Sequence, residues 1–178
     1  MPHRAFIGLG TNLGDRVANY RQAIERIGQL PETRIVRHSS IYETEPVGDV
    51  EGEFLNGVVE LETELVADGL MRRLLMIERT MGRMRGPESK LPGTRRKYRP
   101  RVIDLDLLFF DREIIHTPEL TVPHPRLHER RFVLVPMAEL APALIHPELN
   151  VSISEMLAGF KSPQRVTLAR ADLIRPST

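Results

Sequence analysis

The sequence predicts an α+β fold in which an antiparallel sheet carries helices on one face and a C-terminal extension follows. Its 178 residues suffice for one hydrophobic core and are few for two. Branched and aromatic apolar residues mark four strands, and apolar residues at helical spacing mark two helices. These elements alternate as strand, helix, strand, strand, helix, strand, which is the order of the ferredoxin-like βαββαβ unit.

The first half of the chain predicts one strand, one helix and then two more strands. Asp15 favours the positive end of the helix dipole, and Gly28 provides a C-terminal stop. The glycine-rich stretch 8–14 predicts a tight turn, because Leu13 stands where a dinucleotide-binding loop needs its third glycine. The predicted bounds are 4–9 for the first strand, 15–27 for the helix, and 34–43 and 54–62 for the next strands.

The second half predicts a helix, a long loop, a fourth strand and the C-terminal extension. The loop over 84–99 lacks periodicity and is rich in charge and turn residues. A long loop in a compact domain is often functional, so we expect a mobile lid, with a plain solvent loop as the alternative. The predicted bounds are 67–81 for the helix, 102–110 for the strand, 132–140 and 153–157 for helical segments, and 165–178 for a tail.

Two carboxylates lie on the fourth strand, which is otherwise apolar. Strand alternation places Asp104 and Asp106 side by side, roughly 7 Å apart at Cα. Buried carboxylates need cations, and eight Lys and Arg residues lie between 83 and 101. Carboxylates beside arginines favour a magnesium–nucleotide site, whereas the plainer alternative is the wet face of an antiparallel sheet.

The same alternation assigns every residue of the fourth strand to a face. The carboxylate face is predicted to hold Val102, Asp104, Asp106, Leu108 and Phe110. The opposite face is predicted to hold Ile103, Leu105, Leu107 and Phe109.

Composition excludes several classes of protein. There is no cysteine, so disulfides and thiolate metal sites are excluded. No long apolar run predicts a signal peptide or a membrane span, so we expect a cytoplasmic chain without a membrane partner. The net charge of +1 does not favour nucleic acid as a partner. His124 and His128 are four residues apart, but without the H-E-x-x-H pattern they do not predict zinc.

Several motifs in order and spacing resemble one family. They are Gly8-x-Gly10-x-Asn12-Leu13-Gly14, Phe54-Leu55-Asn56, Pro100-Arg101-x-x-Asp104-Leu105-Asp106, Leu120-x-Val122-Pro123-His124 and Arg130-x-Phe132-Val133-Leu134-x-Pro136. The chain from about residue 4 to residue 158 thereby resembles the 6-hydroxymethyl-7,8-dihydropterin pyrophosphokinases of folate biosynthesis. The resemblance implies transfer of the β,γ-pyrophosphoryl group of ATP to the hydroxymethyl group of a dihydropterin, with release of AMP.

The resemblance also implies roles for individual residues. Asp104 and Asp106 would hold two Mg²⁺ ions and, with Arg83 and Arg101, form the catalytic set. The implied ATP-binding residues are Glu78, Arg83, Arg101, His124 and Arg130. The implied pterin-binding residues are Thr44, Val47, Phe54, Asn56, Tyr98 and Phe132.

Elementary chemistry agrees with the implied pterin site. A flat heterocycle gains from two aromatic faces, and its polar edge needs an amide such as Asn56. From the residues alone, Phe54 and Phe132 would instead be interpreted as core packing. Tyr98 is expected to replace a lid aromatic, and Arg99 stands where the family usually has glycine, in a loop longer than that of short members.

The resulting prediction is a single catalytic domain over 1–178, with its core at about 4–158, acting as a monomer on ATP and a dihydropterin. Two alternatives remain at this point. The same carboxylates would suit an ordinary kinase or a nucleotidyltransferase. A βαββαβ sheet with a basic segment would also suit an RNA-binding module, although no strand carries its run of exposed aromatics.

Overall fold

Six strands of the chain form one antiparallel sheet in the computed structural model, which describes residues 1–45, 52–83 and 102–170. The strands are β1 (His3–Thr11), β2 (Thr33–His38), β3 (Ile41–Thr44), β4 (Phe54–Thr63), β5 (Asp104–Phe110), β6 (Ile115–His116), β7 (Thr121–Val122) and β8 (Val166–Arg170). The helices are α1 (Arg16–Gly28), α2 (Ala67–Arg83), α3 (Arg131–Leu140) and α4 (Ile153–Ala158). A 3₁₀ turn spans Leu127–Glu129.

The strand order is β5-β1-β4-β3-β8, and β2 also pairs with β4. Strands β6 and β7 form a separate two-stranded ribbon. Because β2 and β3 together take the place of the second strand, the first four positions reproduce the ferredoxin-like order. The predicted α+β class is therefore confirmed.

Each face of the sheet is covered by its own pair of helices. Helices α1 and α2 pack on one face, here called the inner face, with a stripe of Leu70, Leu74, Ile77 and Met81 buried as predicted. Asp15 caps α1 by accepting a hydrogen bond from the Ala18 amide at 3.1 Å. The C-terminal extension covers the outer face, where Leu134 and Met137 of α3 are fully buried.

The predicted strand over 34–43 is wrong in one respect, since it is broken into β2 and β3 at Ser39 and Ser40. The Ser39 hydroxyl accepts a hydrogen bond from the Val58 amide at 2.8 Å. The Ser40 amide donates to the Glu139 carboxylate at 2.8 Å instead of to a neighbouring strand. Side chains that replace backbone partners in this way interrupt a ladder.

The predicted turn over 8–14 begins too early. Strand β1 runs through Gly8 and Gly10 to Thr11, and it pairs with β4 along its whole length. The turn starts only after Thr11, so these two glycines belong to the sheet.

The predicted faces of the strand over 102–110 hold from Ile103 to Leu108 and then fail. Before Ile103, Val102 packs against the inner core and not on the carboxylate face, so its predicted placement was wrong. Ile7 pairs with Leu107 but Phe6 pairs with Phe109, so the register shifts by one residue. This bulge turns Phe109 to the outer face beside Leu108, and it turns Phe110 to the inner face. The predicted placements of Phe109 and Phe110 were therefore exchanged.

The expected tail over 165–178 is also corrected in part. Val166–Arg170 forms β8, which extends the sheet by pairing with β3. The end of the tail, 171–178, and the expected lid over 84–99 lie outside the described residues. A search of the described helices finds no segment with the length and hydropathy needed to cross a membrane.

Candidate active site

A cleft opens on the outer face, where β5, β1 and β4 meet the start of α3. It encloses about 680 Å³ of empty space, counting its open mouth. The residues that line it are Gly8, Leu9, Gly10, Thr44, Glu45, Phe54, Asn56, Gly57, Asp104, Asp106, Arg130, Phe132 and Val133.

The floor of the cleft combines two carboxylates with two glycines. In the ladder between β1 and β5, Gly8 pairs with Asp106 and Gly10 pairs with Asp104. The glycines carry no side chain, so the floor beside the carboxylates stays flat. A Cβ atom at Gly10 would stand 2.8 Å from the Asn56 Oδ1 atom.

Sequence reasoning missed the role of these glycines in the floor because it assigned them to a turn. The available signal was their spacing, since two glycines at alternate positions of an apolar strand mark a close approach on one face.

Two basic residues lie beside Asp106. The Arg130 Nη1 atom is 3.6 Å from its Oδ2 atom, and the His124 Nε2 atom is 3.9 Å from its Oδ1 atom. Burial, followed by the nearby Arg130 charge, lowers the pKa of His124 to about 4. His124 is therefore neutral at pH 7, and Arg130 supplies the positive charge here.

The Arg126 amide donates to the His124 Nδ1 atom at 3.2 Å. This bond fixes the tautomer of the neutral ring, so Nε2 carries the proton and faces the carboxylate. The sequence-predicted residues His124, Arg130 and Asp106 are thus brought together.

Glu78, on α2, contacts strand β5. Its Oε1 atom accepts a hydrogen bond from the Leu105 amide at 2.7 Å, between the two aspartates. Glu78 is not among the lining residues of the cleft. The structure therefore gives it a role in holding β5, and its contact with ATP stays a prediction.

Two phenylalanines stand on different elements of the cleft. Phe54 begins β4, and Phe132 is the second residue of α3. Asn56 also lines the cleft, and it donates from Nδ2 to the Thr44 hydroxyl at 2.5 Å, in a buried position. Both rings are half-buried and line the cleft, and Phe132 also packs against the outer core.

Four predicted site residues have no described side chain. Val47, Tyr98 and Arg101 lie outside the described residues, and Arg83 ends α2 without a described side chain. Glu45 and Val133 line the cleft although the sequence did not single them out.

Comparisons with known proteins identify the family of the chain. The family model described as 7,8-dihydro-6-hydroxymethylpterin-pyrophosphokinase (HPPK) matches residues 6–142. The chain is 41% identical over 143 residues to a 2-amino-4-hydroxy-6-hydroxymethyldihydropteridine pyrophosphokinase of Methylorubrum extorquens, covering 80% of this chain and 85% of that one. It is 43% identical over 141 residues to the pyrophosphokinase of the same name from Bacillus subtilis, covering 79% of each.

Solved structures share the fold. A structure titled as HPPK-DHPS in complex with substrates matches with a TM-score of 0.66 at 15% identity, over 89% of this chain and 43% of that one. Wild-type HPPK-DHPS of Plasmodium falciparum matches with a TM-score of 0.64 at 16% identity, over 89% and 44%. The chain thus spans less than half the length of these solved chains. The family match and the curated relatives together show that the chain belongs to the 7,8-dihydro-6-hydroxymethylpterin-pyrophosphokinase family.

Proposed function

We propose that the outer-face cleft is where this chain carries out the reaction of its family. The chain is a pyrophosphokinase of the transferase class, which transfers a pyrophosphoryl group from ATP to 6-hydroxymethyl-7,8-dihydropterin in folate biosynthesis. The observation that carries the proposal is the meeting of Asp104 and Asp106 with Phe54, Asn56 and Phe132 around one cleft.

The pterin ring would lie between the rings of Phe54 and Phe132. Each aromatic contact adds about 0.5–1.5 kcal/mol beyond the buried area. Asn56 would meet the polar edge of the pterin, and its bond to Thr44 holds the amide in place. Val47 and Tyr98 are proposed to complete this site.

The two aspartates fit a divalent metal. They supply hard oxygen ligands from one strand face and leave the other positions to phosphate oxygens and water, which is how Mg²⁺ is usually bound. We propose two Mg²⁺ ions, with Asp104 and Asp106 as their protein ligands. When bound, magnesium neutralises phosphate charge and makes the β-phosphorus more electrophilic.

The residues of the chain would then mainly position the two substrates and neutralise phosphate charge. The hydroxymethyl oxygen forms a bond to the β-phosphorus of ATP, the bond from that phosphorus to the oxygen shared with the α-phosphate breaks, and AMP leaves with that oxygen. The hydroxyl proton passes to solvent, and no side-chain base is needed. Arg130, with Arg83 and Arg101, would bind phosphate oxygens bidentately, and neutral His124 would donate from Nε2. Glu78 is proposed as the remaining ATP contact.

We also propose that a monomer is active. Sedimentation velocity at assay concentration would check this, and activity that rises with dimer population would contradict it.

The experiment that tests the function is product analysis. The chain is incubated with ATP, Mg²⁺ and 6-hydroxymethyl-7,8-dihydropterin, and the nucleotides are separated by chromatography. AMP in amounts equal to the pterin diphosphate is the expected result. ADP would instead indicate an ordinary kinase, and no nucleotide product would contradict the proposal.

A further inference from the structure

Gln164 and Arg165 connect the two walls of the cleft from outside it. They precede β8 and lie beyond residues 6–142, the part of the chain matched by the family model. We call these two residues the clasp. The clasp contacts the start of α3 on one side and the β3 and β4 ends on the other.

Gln164 caps helix α3. Its Oε1 atom accepts a hydrogen bond from the Arg131 amide at 3.0 Å, and its Nε2 atom donates to the Glu129 carbonyl at 3.2 Å. The N-cap residue, Arg130, makes no side-chain capping bond of its own. The first amides of a helix have no partner within the helix. Gln164, which lies far along the chain, therefore supplies the capping acceptor that Arg130 does not provide.

The position of this cap matters for the cleft. The helix start that Gln164 holds carries Arg130 and Phe132, which line the cleft on the α3 side. The Arg131 guanidinium also donates from Nη1 to the Gln164 carbonyl at 3.2 Å. Three hydrogen bonds therefore join Gln164 to this wall.

Arg165 holds the opposite wall. Its amide donates to the Glu45 carboxylate at 3.0 Å, and its guanidinium forms an ion pair with Glu53. Glu45 lines the cleft, and Glu53 directly precedes Phe54. The Glu53 carbonyl also accepts from the Arg16 Nη1 atom at 2.9 Å, which links this wall to α1.

We propose that Gln164 and Arg165 are positioning residues, which set the separation of the Phe54 and Phe132 walls for the pterin ring. This inference rests on the proposed function, because it needs the ring to bind between those walls. An aromatic sandwich requires a defined spacing, and a site whose walls are held before binding loses less entropy when the ligand enters. Neither clasp residue lines the cleft, so both act through the residues they hold.

The test measures pterin and nucleotide affinity separately in the full chain. The dissociation constant of 6-hydroxymethyl-7,8-dihydropterin is measured with Mg²⁺ and a non-hydrolysable ATP analogue, and that of the analogue is measured alone. Gln164→Ala should weaken pterin binding about 3–10-fold, the range expected for losing a hydrogen-bonded anchor. The affinity for the analogue should fall less than that for the pterin, because Arg130 is one of several proposed phosphate contacts whereas Phe132 is one of only two proposed ring contacts.

Two variants serve as controls for Gln164→Ala. Lys161→Ala truncates an exposed side chain three residues earlier, and it should bind the pterin like the wild type. Gln164→Glu keeps an acceptor oxygen for the Arg131 amide, so it should bind the pterin more tightly than Gln164→Ala. Equal affinities of the Glu and Ala variants would overturn the capping role.

Arg165→Gln tests the wall that carries Glu45 and Phe54. If Gln164→Ala does not fold, this variant tests the clasp in its place. It removes the ion pair with Glu53 and keeps the backbone bond to Glu45, so pterin affinity should fall about 2–5-fold, as for one partly exposed charged pair. Pterin and analogue affinities that fall equally, or that match those of Lys161→Ala, would overturn the clasp. A wild-type chain that forms no AMP would instead overturn the proposed function.

Discussion

The inner and outer faces of the central sheet are made by the same strands and have opposite character. On β5, Leu105 and Leu107 face inward and are 1% and 3% exposed, whereas the outward side chain of Asp106 is 30% exposed. On β1, Ile7 and Leu9 face inward, while Gly8 and Gly10 face the cleft. Because strand side chains alternate with a period of two, one strand contributes to the core and to the site at neighbouring positions.

Substitutions at neighbouring positions of one strand should therefore affect different properties of the protein. Replacements on the inner face should reduce the free energy of unfolding and leave the turnover of folded molecules almost unchanged. Replacements in the cleft should reduce turnover or affinity and leave stability almost unchanged.

The largest expected effect is on turnover, from Asp104→Asn or Asp106→Asn. Each removes a proposed metal ligand, so kcat should fall by at least about 10²-fold, as for loss of a contact made mainly in the transition state. The melting temperature of Asp104→Asn should not fall, since removing one of two neighbouring negative charges relieves repulsion, whereas Asp106→Asn also loses the ion pair with Arg130. Glu119→Gln, on an exposed carboxylate outside the cleft, is the matched control. Near-full activity of Asp104→Asn would remove that residue from the metal site.

Leu107→Ala tests the inner face of the sheet. Leu107 is 3% exposed and belongs to the inner core, so its truncation should cost about 2–5 kcal/mol of unfolding free energy. Urea denaturation measures this loss, and kcat per folded molecule should remain close to that of the wild type. A large fall in kcat without loss of stability would contradict the separation of the two faces.

The sequence was sufficient where local pattern decides the structure. The stripe on α2, the carboxylates on β5 and the ferredoxin-like order all follow from periodicity and succession. It was insufficient where a distant partner decides. The break at Ser39 depends on the Val58 amide, and β8 depends on the open edge of β3. The bulge that exchanges Phe109 and Phe110 exists only in the pairing of β5 with β1.

The candidate site follows the same rule. Asp104, Asp106, Asn56 and the two phenylalanines were predicted through motifs of the chain. Gly8 was seen only as part of such a motif, and Glu45 was not predicted. Their place in the cleft results from the register of neighbouring strands, which a single sequence does not display.

Gly10→Ala should have the next largest effect, which is on pterin affinity. Gly8→Ala is its control on the same strand. A Cβ atom at Gly10 would meet the Asn56 Oδ1 atom at 2.8 Å, whereas one at Gly8 would meet Leu108 at an ordinary 3.5 Å. Displacing Asn56 should weaken pterin binding by about 1–3 kcal/mol, the usual range for overpacking. Gly8→Ala should weaken pterin binding less than Gly10→Ala, because its Cβ atom would displace no binding residue. Equal affinities of the two variants would show that Asn56 adjusts freely.

Phe132→Ala should weaken pterin binding by about 0.5–1.5 kcal/mol for the lost aromatic contact, and somewhat more with the lost area. Phe160→Ala is the control, because Phe160 is also half-buried on the outer face and does not line the cleft. Calorimetric titration measures the affinity, and thermal unfolding measures the stability. An equal loss of stability and affinity in Phe132→Ala would restore the core interpretation of this ring.

The smallest expected effect is a pH dependence of stability that arises from His146. It tests whether the outer face excludes solvent away from the cleft. His146 is 3% exposed there, and burial lowers its pKa. Its Nδ1 atom accepts from the amides of Glu148 and Leu149, at 3.2 and 3.1 Å, so protonation would break both bonds. Between the lowered pKa and about 6.5, the unfolded chain binds more protons than the folded chain. The contribution of His146 to stability should therefore be complete above about pH 6.5 and be lost as the pH falls through its folded pKa.

His146→Asn isolates this contribution from those of the other histidines. The Asn side chain can accept from the same amides and does not titrate near neutral pH. We expect the variant to lose less stability than the wild type between pH 7 and pH 5, measured by urea denaturation at both values. Parallel losses in the two proteins would mean that the ring accepts a proton without cost, and that this part of the outer face is open to solvent.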